Sequence, residues 1–308
     1  EVGGSFVQGE SEVASINMVY GAASVGVRAM TGSSGPGISL KSEGISYIAG
    51  AQLPAVIINV MRAGPGLGNI WPAKSDYFQA TKGGGHGDYR LIVLAPSSVQ
   101  ESYDLTKKAF DLADRYRMAV MILSDGTIGQ MMEGLTIDPD EKPPAPVEKP
   151  WALTGAAGRA PNVVRSLFMG RDDVEKHNIM LQKKYRRVEN KEVRYEGAFL
   201  DDARAVIVAY GTTSRIALSV VTALRRRGQK VGLFRPVSLW PFPKKELNRI
   251  SRKCRKILTV EMSYGQMVED VRLCVDKKTE VGFYGRSGGG VPTEKQIEAA
   301  FTKLLRKG

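Results

Sequence analysis

The chain has 308 residues, 43% of them apolar and 25% charged, which excludes a disordered or fibrous protein and leaves room for two globular domains. No apolar stretch approaches the roughly 20 residues of a membrane-spanning helix and the first residues lack a signal-peptide pattern, so we expect a cytoplasmic protein with no membrane partner. The net charge of +12 comes from scattered clusters such as Lys183–Arg187, which favour solvated helix faces over a nucleic-acid site.

The first part of the chain shows an acidic helix start and then an apolar strand. Glu10 and Glu12 stand where an amphipathic helix begins, a place where acidic side chains commonly only complement the helix dipole. Arg62 ends the apolar run PAVIINVM and so belongs at the carboxyl edge of a sheet, where α/β proteins bind ligands. Its guanidinium could clamp a carboxylate or serve as a structural ion pair, and the pattern leaves both readings open.

The next elements alternate strand and helix. LIVLAP and AVMIL predict buried strands, and Ser98 with Glu101 predicts an N-cap and capping box for the helix between them. This alternation indicates an α/β domain over residues 1–137, with a parallel sheet flanked by helices.

A proline-rich stretch follows. Residues 138–150 carry five prolines, which favour an extended linker, and we read residues 138–202 as this linker plus a connecting arm with a polar helix from Asp172 to about Glu192. The strands AVIVAYG, KVGLFRP and ILTVE then predict a second, smaller α/β domain over residues 203–308.

Glycine-rich loops and metal-ligand residues give no clear nucleotide or metal site. The loops at 62–69, 82–89 and 284–292 match neither a P-loop nor GxGxxG, and the third lacks a preceding buried strand. In LSDGTIGQ, Ser124 replaces the first glycine of the GDG that opens a diphosphate and magnesium motif, so neither group is expected here. The two cysteines and two histidines are too few and too separated for a metal cage, and we expect Cys254 and Cys274 to be buried thiols.

The chain as a whole resembles one family. The segments FVQGESEVASINMVYGAA, RAGPGLGNI, SDYFQATKGGGHGDYRLIVLAP, VGLFRPVSLWPFP, EMSYGQMVEDVRL and FYGRSGGGVPT, in this order, are similar to the α subunit of 2-oxoacid:ferredoxin oxidoreductases, and within it to the 2-oxoisovalerate branch. The resemblance implies a thiamine-diphosphate pyrimidine-binding domain followed by a transketolase C-terminal-like domain. It also implies that residues 1–308 begin after a first βα unit with a YPITP-like motif, so that the first domain is N-terminally truncated and another chain could supply the piece.

The resemblance further implies cofactors, substrates and partners. Thiamine diphosphate is shared with a β subunit that holds its diphosphate and Mg²⁺, and iron–sulfur clusters lie on partner subunits, including γ and ferredoxin-like δ chains. The expected reaction is oxidative decarboxylation of a branched-chain 2-oxoacid to acyl-CoA, CO₂ and reduced ferredoxin.

Site residues follow from the same resemblance. Glu12 aligns with the glutamate on the aminopyrimidine N1′, where a carboxyl group favours the tautomer that activates the cofactor. Arg62 aligns with a partner of the substrate carboxylate. Ser33 and Ser34 lie in TGSSGPG, at the position of a serine-rich turn beside the cofactor, although Gly32 and Gly35 depart from the serine-rich run.

Two alternatives remain at this point. A β-type chain of a lipoamide-linked 2-oxoacid dehydrogenase shares the same order of domains and would transfer acyl groups to lipoamide. A non-catalytic scaffold or nucleic-acid-binding subunit would bind random DNA with a steep salt dependence.

Overall fold

The computed structural model describes residues 3–140, 145 and 147–306. Its strands are β1 (Met30–Ser33), β2 (Ala55–Met61), β3 (Ile92–Leu94), β4 (Ala119–Asp125), β5 (Tyr195–Ala198), β6 (Ala205–Val208), β7 (Val231–Pro236), β8 (Ser238–Trp240), β9 (Lys256–Glu261) and β10 (Glu280–Gly285). Its helices are α1 (Glu12–Ser24), α2 (Pro36–Gly50), α3 (Tyr77–Lys82), α4 (Val99–Tyr116), α5 (Gly126–Gln130), α6 (Asp173–Lys191), α7 (Thr212–Arg226), α8 (Lys244–Ser251), α9 (Met267–Cys274) and α10 (Glu294–Arg306).

The first sheet has the strand order β1-β2-β4-β3-β8. Its first four strands are parallel, and β8 is an antiparallel edge strand that comes from the second half of the chain. All seven residues of β4 are buried, as continuous apolar runs are when helices cover both faces of a sheet. The predicted α/β class is therefore confirmed.

The helix after β3 begins as predicted. Ser98 Oγ accepts from Glu101 N at 3.1 Å, but the Glu101 carboxylate turns to Ser97 N (2.7 Å) instead of completing the box at Ser98. The reason is that Glu101 also pairs with Arg235 of β7, across the boundary between the two sheets. This ion pair and the burial of Arg235 connect α4 to the second sheet.

The second sheet has the order β10-β9-β6-β7-β5, parallel except for β5. α7 and α10 pack on one face, and α8 and α9 lie on the other, within a hydrophobic core that also contains β2 and β4 side chains. A strand, β10, precedes the third glycine-rich loop. It is an edge strand without a fully buried residue, and for this reason its sequence is not a continuous apolar run.

The middle of the chain packs on the first sheet. The polar helix is confirmed as α6, whose buried Leu181, Tyr185 and Val188 join the core formed by β3, β4 and α4. Of the proline-rich linker, residues 141–144 and 146 lie outside the described residues. The two boundaries, between residues 137 and 138 and between residues 202 and 203, remain a prediction.

Two further expectations concern the cysteines and the membrane. Cys254 and Cys274 are buried free thiols, as predicted, and burial raises the pKa of each to about 11. Among the helices that the structure describes, none combines the length and apolarity needed to cross a bilayer.

The carboxyl ends of the two sheets meet at a buried ion pair. Asp125 ends β4, and its carboxylate lies 2.7 Å from Lys74 Nζ, with both side chains completely buried. The hydroxyl of Thr212, at the start of α7, donates to the same carboxylate at 2.9 Å. Burial would raise the pKa of Asp125, but the charge of Lys74 and these hydrogen bonds outweigh it and hold the pKa below its ordinary value.

We expect Asp125→Asn to lower the free energy of unfolding by about 3–5 kcal/mol, because it leaves the Lys74 charge buried without its partner. Urea denaturation at neutral pH measures this loss. Because the folded pKa of Asp125 is depressed, its contribution is complete above the unfolded pKa of about 4 and disappears as the pH falls through the folded pKa.

The control is the double variant Lys74→Met/Asp125→Leu, which removes both charges and keeps similar volume. We expect it to recover most of the lost stability. A single variant as stable as wild type would contradict a role for the ion pair in joining the sheets.

Candidate active site

Glu12 is the first residue of α1. The helix begins there because Ser11 caps it, with Ser11 Oγ accepting from Ala14 N at 3.2 Å. Glu10 precedes the cap and is exposed. Of these two acidic residues, only Glu12 therefore belongs to a helix. It lies in the first turn of α1 and is half-buried.

The Glu12 carboxylate contacts the loop between β1 and α2. Ser33 Oγ donates to Glu12 Oε1 over a long 3.4 Å. A Cβ on Gly37 would lie 2.7 Å from Glu12 Oε1 and 2.1 Å from Ser33 Oγ, so a side chain at this position would force both of these side chains to move. Because its one hydrogen bond is long, the carboxylate keeps most of its capacity to accept further hydrogen bonds.

A buried lysine interacts electrostatically with this carboxylate. Lys41 Nζ donates to Thr31 Oγ1 at 2.9 Å, and the residue is 1% exposed. Burial lowers the pKa of Lys41, and the negative charge of Glu12 opposes that shift. We did not predict Lys41, although it interrupts the apolar series Ile38, Ile45 and Ile48 on α2, which was the available signal.

Arg62 follows β2 directly and reaches the same loop. A Cβ on Gly35, whose φ is +49°, would lie 2.9 Å from Arg62 Nε. That Nε atom is buried and has no hydrogen-bond partner in the described part of the chain. The backbone of Arg62 forms a bridge with Pro72, which closes the base of the glycine-rich loop that follows.

The predicted site residues thus converge on the 33–37 loop. Glu12 and Ser33 touch each other there, and Arg62 touches Gly35. Ser34 contributes its backbone carbonyl, which accepts from Gly37 N at 3.0 Å, and its side chain forms no hydrogen bond within the described residues. The roles of these residues stay predictions, while their proximity is an observation.

The central residue of the Ser-Asp-Gly sequence at 124–126, Asp125, forms contacts within the fold. Asp125 is engaged by Lys74 and Thr212, as described above, and it also caps α5 through Thr127 N. Among the described residues, no group of three or more His, Cys, Asp or Glu side chains is placed to hold a metal ion.

The elements that carry the site also expose large apolar residues. Phe6, before α1, is 94% exposed, Met18 on α1 is 51% exposed and Leu40 on α2 is 53% exposed. Exposed apolar side chains of this size are typical of a surface that another molecule covers.

Comparison with known proteins agrees with this picture. Residues 1–197 match the family model described as "Pyruvate flavodoxin/ferredoxin oxidoreductase, thiamine diP-bdg", and residues 203–297 match "Pyruvate:ferredoxin oxidoreductase core domain II". The ketoisovalerate oxidoreductase subunit VorB of Methanothermobacter thermautotrophicus is 53% identical over 94% of this chain and 82% of its own length. The 2-oxoglutarate synthase subunit KorA of Methanocaldococcus jannaschii is 34% identical over 97% of this chain and 87% of its own.

Two solved structures are also similar. A 2-oxoglutarate:ferredoxin oxidoreductase from Magnetococcus marinus, solved with 2-oxoglutarate, coenzyme A and succinyl-CoA bound, has a TM-score of 0.82 and 27% identity. The match covers 99% of this chain and 58% of that longer chain. A split-gene transketolase has a TM-score of 0.60 and 15% identity, and the match covers 97% of this chain and 83% of the transketolase chain. At this low identity the match shows a shared fold and nothing about activity.

The fold and these matches define a thiamine-diphosphate-binding domain followed by a second α/β domain. The chain belongs to the 2-oxoacid:ferredoxin oxidoreductase family and is an enzyme subunit. This membership favours the predicted family over the lipoamide-linked dehydrogenase and over the non-catalytic scaffold.

We expect Gly37→Ala to reduce stability by about 1–3 kcal/mol, because the new methyl group overlaps Ser33 Oγ and Glu12 Oε1. Alanine by itself favours a helix over glycine by about 0.5–1 kcal/mol, so the loss has to come from the clash. Urea denaturation measures the change.

Gly21→Ala in α1 is the matched control, since a Cβ there meets no atom within 4 Å. It should be as stable as wild type or slightly more so. If both variants behaved alike, the close approach of α2 to Glu12 would not hold in solution.

Proposed function

We propose that the chain is the α subunit of a CoA-acylating 2-oxoisovalerate:ferredoxin oxidoreductase, with an active site shared with a β subunit. The observation that carries the proposal is the convergence of Glu12 and Arg62 on the 33–37 loop of a thiamine-diphosphate-binding domain. The reaction is oxidative decarboxylation of the 2-oxoacid to acyl-CoA and CO₂ with reduction of ferredoxin.

The choice of substrate rests on relatives. Two ketoisovalerate oxidoreductase subunits are 52–53% identical to this chain, whereas the 2-oxoglutarate synthase subunits are 32–36% identical. A pocket that selects a branched side chain over pyruvate discriminates by about 1–3 kcal/mol per methylene, so substrate preference has to be measured.

The residues present fit the pyrimidine end of thiamine diphosphate. Glu12 keeps acceptor capacity, and Gly37 leaves room beside its carboxylate. When bound, the cofactor supplies a nucleophilic carbon that attacks the keto group and accepts the electron pair left by CO₂. Glu12 would bind N1′ of the pyrimidine ring and hold a proton there.

Lys41 supports Glu12 in this role. Lys41 is buried, its ammonium group donates to Thr31 Oγ1, and the negative charge of Glu12 partly compensates its positive charge. The opposite charges of Lys41 and Glu12 therefore stabilise each other.

Arg62 would bind the substrate carboxylate. Its guanidinium is held beside Gly35, and its buried Nε lacks a partner in the described part of the chain, so it keeps a donor for an anionic ligand. A planar guanidinium matches a carboxylate with paired hydrogen bonds, which would orient the keto carbon for attack.

We further propose that partner chains complete the enzyme. The diphosphate and Mg²⁺ would be held by a β subunit covering the exposed apolar surface around Phe6, Met18 and Leu40. Iron–sulfur clusters would lie on partner subunits, including γ and ferredoxin-like δ chains, in the cytoplasm.

The first test is Glu12→Gln in the complex co-expressed with its partner subunits and purified anaerobically. CoA-dependent viologen reduction with 2-oxoisovalerate is expected to fall by roughly 10²- to 10⁴-fold, because the amide cannot take the proton that the carboxylate exchanges with the ring. Thiamine diphosphate binding, followed by calorimetry, is the second readout.

Glu10→Gln is the matched control, two residues away and outside the helix, and it should retain wild-type activity. Wild-type activity in Glu12→Gln would remove Glu12 from the site. Wild-type complex that turned over 2-oxoglutarate but not 2-oxoisovalerate would overturn the substrate assignment and leave the family reaction in place.

Arg62→Met tests the carboxylate contact. We expect kcat/KM for the 2-oxoacid to fall roughly 10- to 150-fold, which corresponds to the about 1.5–3 kcal/mol of a hydrogen bond to a charged group. The KM for CoA should stay unchanged. An equal loss for both substrates would mean that Arg62 maintains the loop rather than binding the carboxylate.

A further inference from the structure

A second group of cationic side chains lies at the opposite end of the first sheet. A cavity of about 480 Å³ opens beside the turns that precede β2 and β4, lined by Gln52, Arg117, Trp151, Arg165, Phe168 and His177. We call it the cationic pocket. The seven residues of β2 separate it from Arg62 by roughly 20 Å, so it is not part of the candidate active site.

The charges of the cationic pocket are uncompensated. Arg117 and Arg165 line it with His177, and Lys184 donates to the backbone carbonyl of Arg117 at 2.9 Å. None of these four forms an ion pair with a carboxylate in the described part of the chain, although other basic side chains such as Arg28 and Arg235 do. Arg117 and Lys184 are partly buried, and a partly desolvated cation without an anion is costly, so a bound anion would offset that cost.

Lys184 differs from the rest of its basic cluster. The side chains of Lys183, Arg186 and Arg187 are exposed, as predicted for a solvated face, whereas Lys184 turns inward to Arg117 O and to Gln52 Oε1 (3.1 Å). Burial, with the nearby charge of Arg117, lowers the pKa of Lys184 to about 7. At this pKa, a ligand's negative charge can decide whether Lys184 carries its proton.

Arg117 is held in a fixed position. It has a left-handed backbone at φ +46°, its Nε donates to Gln52 O at 3.2 Å, and its guanidinium stacks on Trp151 at 4.4 Å from the ring centroid. Its terminal nitrogens form no hydrogen bond with described residues. Gln52 is also left-handed, so two of the three described non-glycine residues with positive φ line this one pocket.

His177 adds a donor or acceptor that the fold leaves unused. Its Nε2 is buried without a hydrogen-bond partner among the described residues. The ring packs on Phe168 with centroids 4.6 Å apart, and Arg165 covers the same phenyl ring at 5.4 Å. The Phe168 ring thus holds the His177 imidazole and the Arg165 guanidinium at the pocket.

We propose that the cationic pocket binds a phosphate-bearing anion, at a site separate from the one proposed for the thiamine cofactor. A guanidinium fork, an ammonium group and an imidazole match the several oxygens and the multiple charge of a phosphate or diphosphate group. The cavity is too small for a nucleic-acid duplex, and its cations exceed what a single carboxylate would neutralise. The proposal does not depend on the roles of Glu12 and Arg62.

The two histidines of the chain allow a direct test. In the full chain with His86→Gln, the only imidazole is that of His177, whose NMR resonances report on the pocket. We expect inorganic pyrophosphate to cause a saturable shift and to raise the pKa of His177, because a nearby negative charge favours imidazolium. Inorganic phosphate and ATP are titrated in parallel at constant ionic strength, with sodium chloride as the blank.

Two variants locate the binding. Arg117→Asn removes the guanidinium with a residue that tolerates the left-handed backbone, and Lys184→Met removes the ammonium. Each should weaken pyrophosphate binding at least about tenfold, the equivalent of one charge-assisted hydrogen bond, while Arg186→Gln on the exposed face of α6 should bind like wild type. Unfolding curves confirm that the variants fold, and either one suffices for the test.

The titrations distinguish a phosphate-binding site from non-specific binding. Tighter binding of ATP than of pyrophosphate would identify a nucleotide as the ligand, and equal binding would identify the phosphate groups alone; both support the site. A shift that does not saturate, that sodium chloride reproduces, or that Arg186→Gln weakens as much as Lys184→Met would overturn the proposal.

Discussion

The fold depends on one hydrophobic core that is shared by the two sheets and sealed at its polar end by the Lys74, Asp125 and Thr212 contacts. Side chains of β2, β4, β6 and β7 belong to the same buried cluster, so neither sheet buries its inner face alone. At the carboxyl end of β4 the buried Asp125 carboxylate accepts from Lys74, from the Thr212 hydroxyl and from Thr127 N, so it joins residues that are far apart in sequence.

With the two sheets joined, the chain between them has little freedom. Lys74 N donates to Met262 O at 2.9 Å, and Phe78 N donates to Gln266 Oε1 at 2.8 Å, so the segment after the first glycine-rich loop is pinned to the second domain. The other end of that loop leaves β2 at Arg62. The Arg62 backbone is consequently held by β2 on one side and by its bridge with Pro72 on the other, and a held backbone limits where the guanidinium can reach.

Two buried lysines and one partly buried lysine differ in how their charges are compensated. Lys74 is paired with a carboxylate within the chain, which gives stability. Lys41 bonds a hydroxyl and is balanced by the nearby charge of Glu12, which connects its burial to the candidate active site. Lys184 donates to two neutral oxygens and pairs with no carboxylate among the described residues, so in our proposal the negative charge comes from a bound anion. The amount of internal compensation therefore decreases from a structural pair to the two ligand sites.

The sequence by itself determined the elements and their order. Apolar runs such as AVMIL, the Ser98 cap and the polar helix of residues 173–191 are local patterns, and local hydrogen bonding and burial are enough to produce them. The family, and with it Glu12, Arg62, Ser33 and Ser34 as candidates, came from long matching segments. Only the tertiary structure decided that β8 pairs with the first sheet and that the Glu101 carboxylate pairs with Arg235 instead of completing the capping box. It also decided that the side chains of Lys41 and Lys184 turn toward the interior of the protein. These features depend on contacts between residues far apart in the chain, and a pattern with a period of a few residues carries no information about which distant side chain will lie opposite.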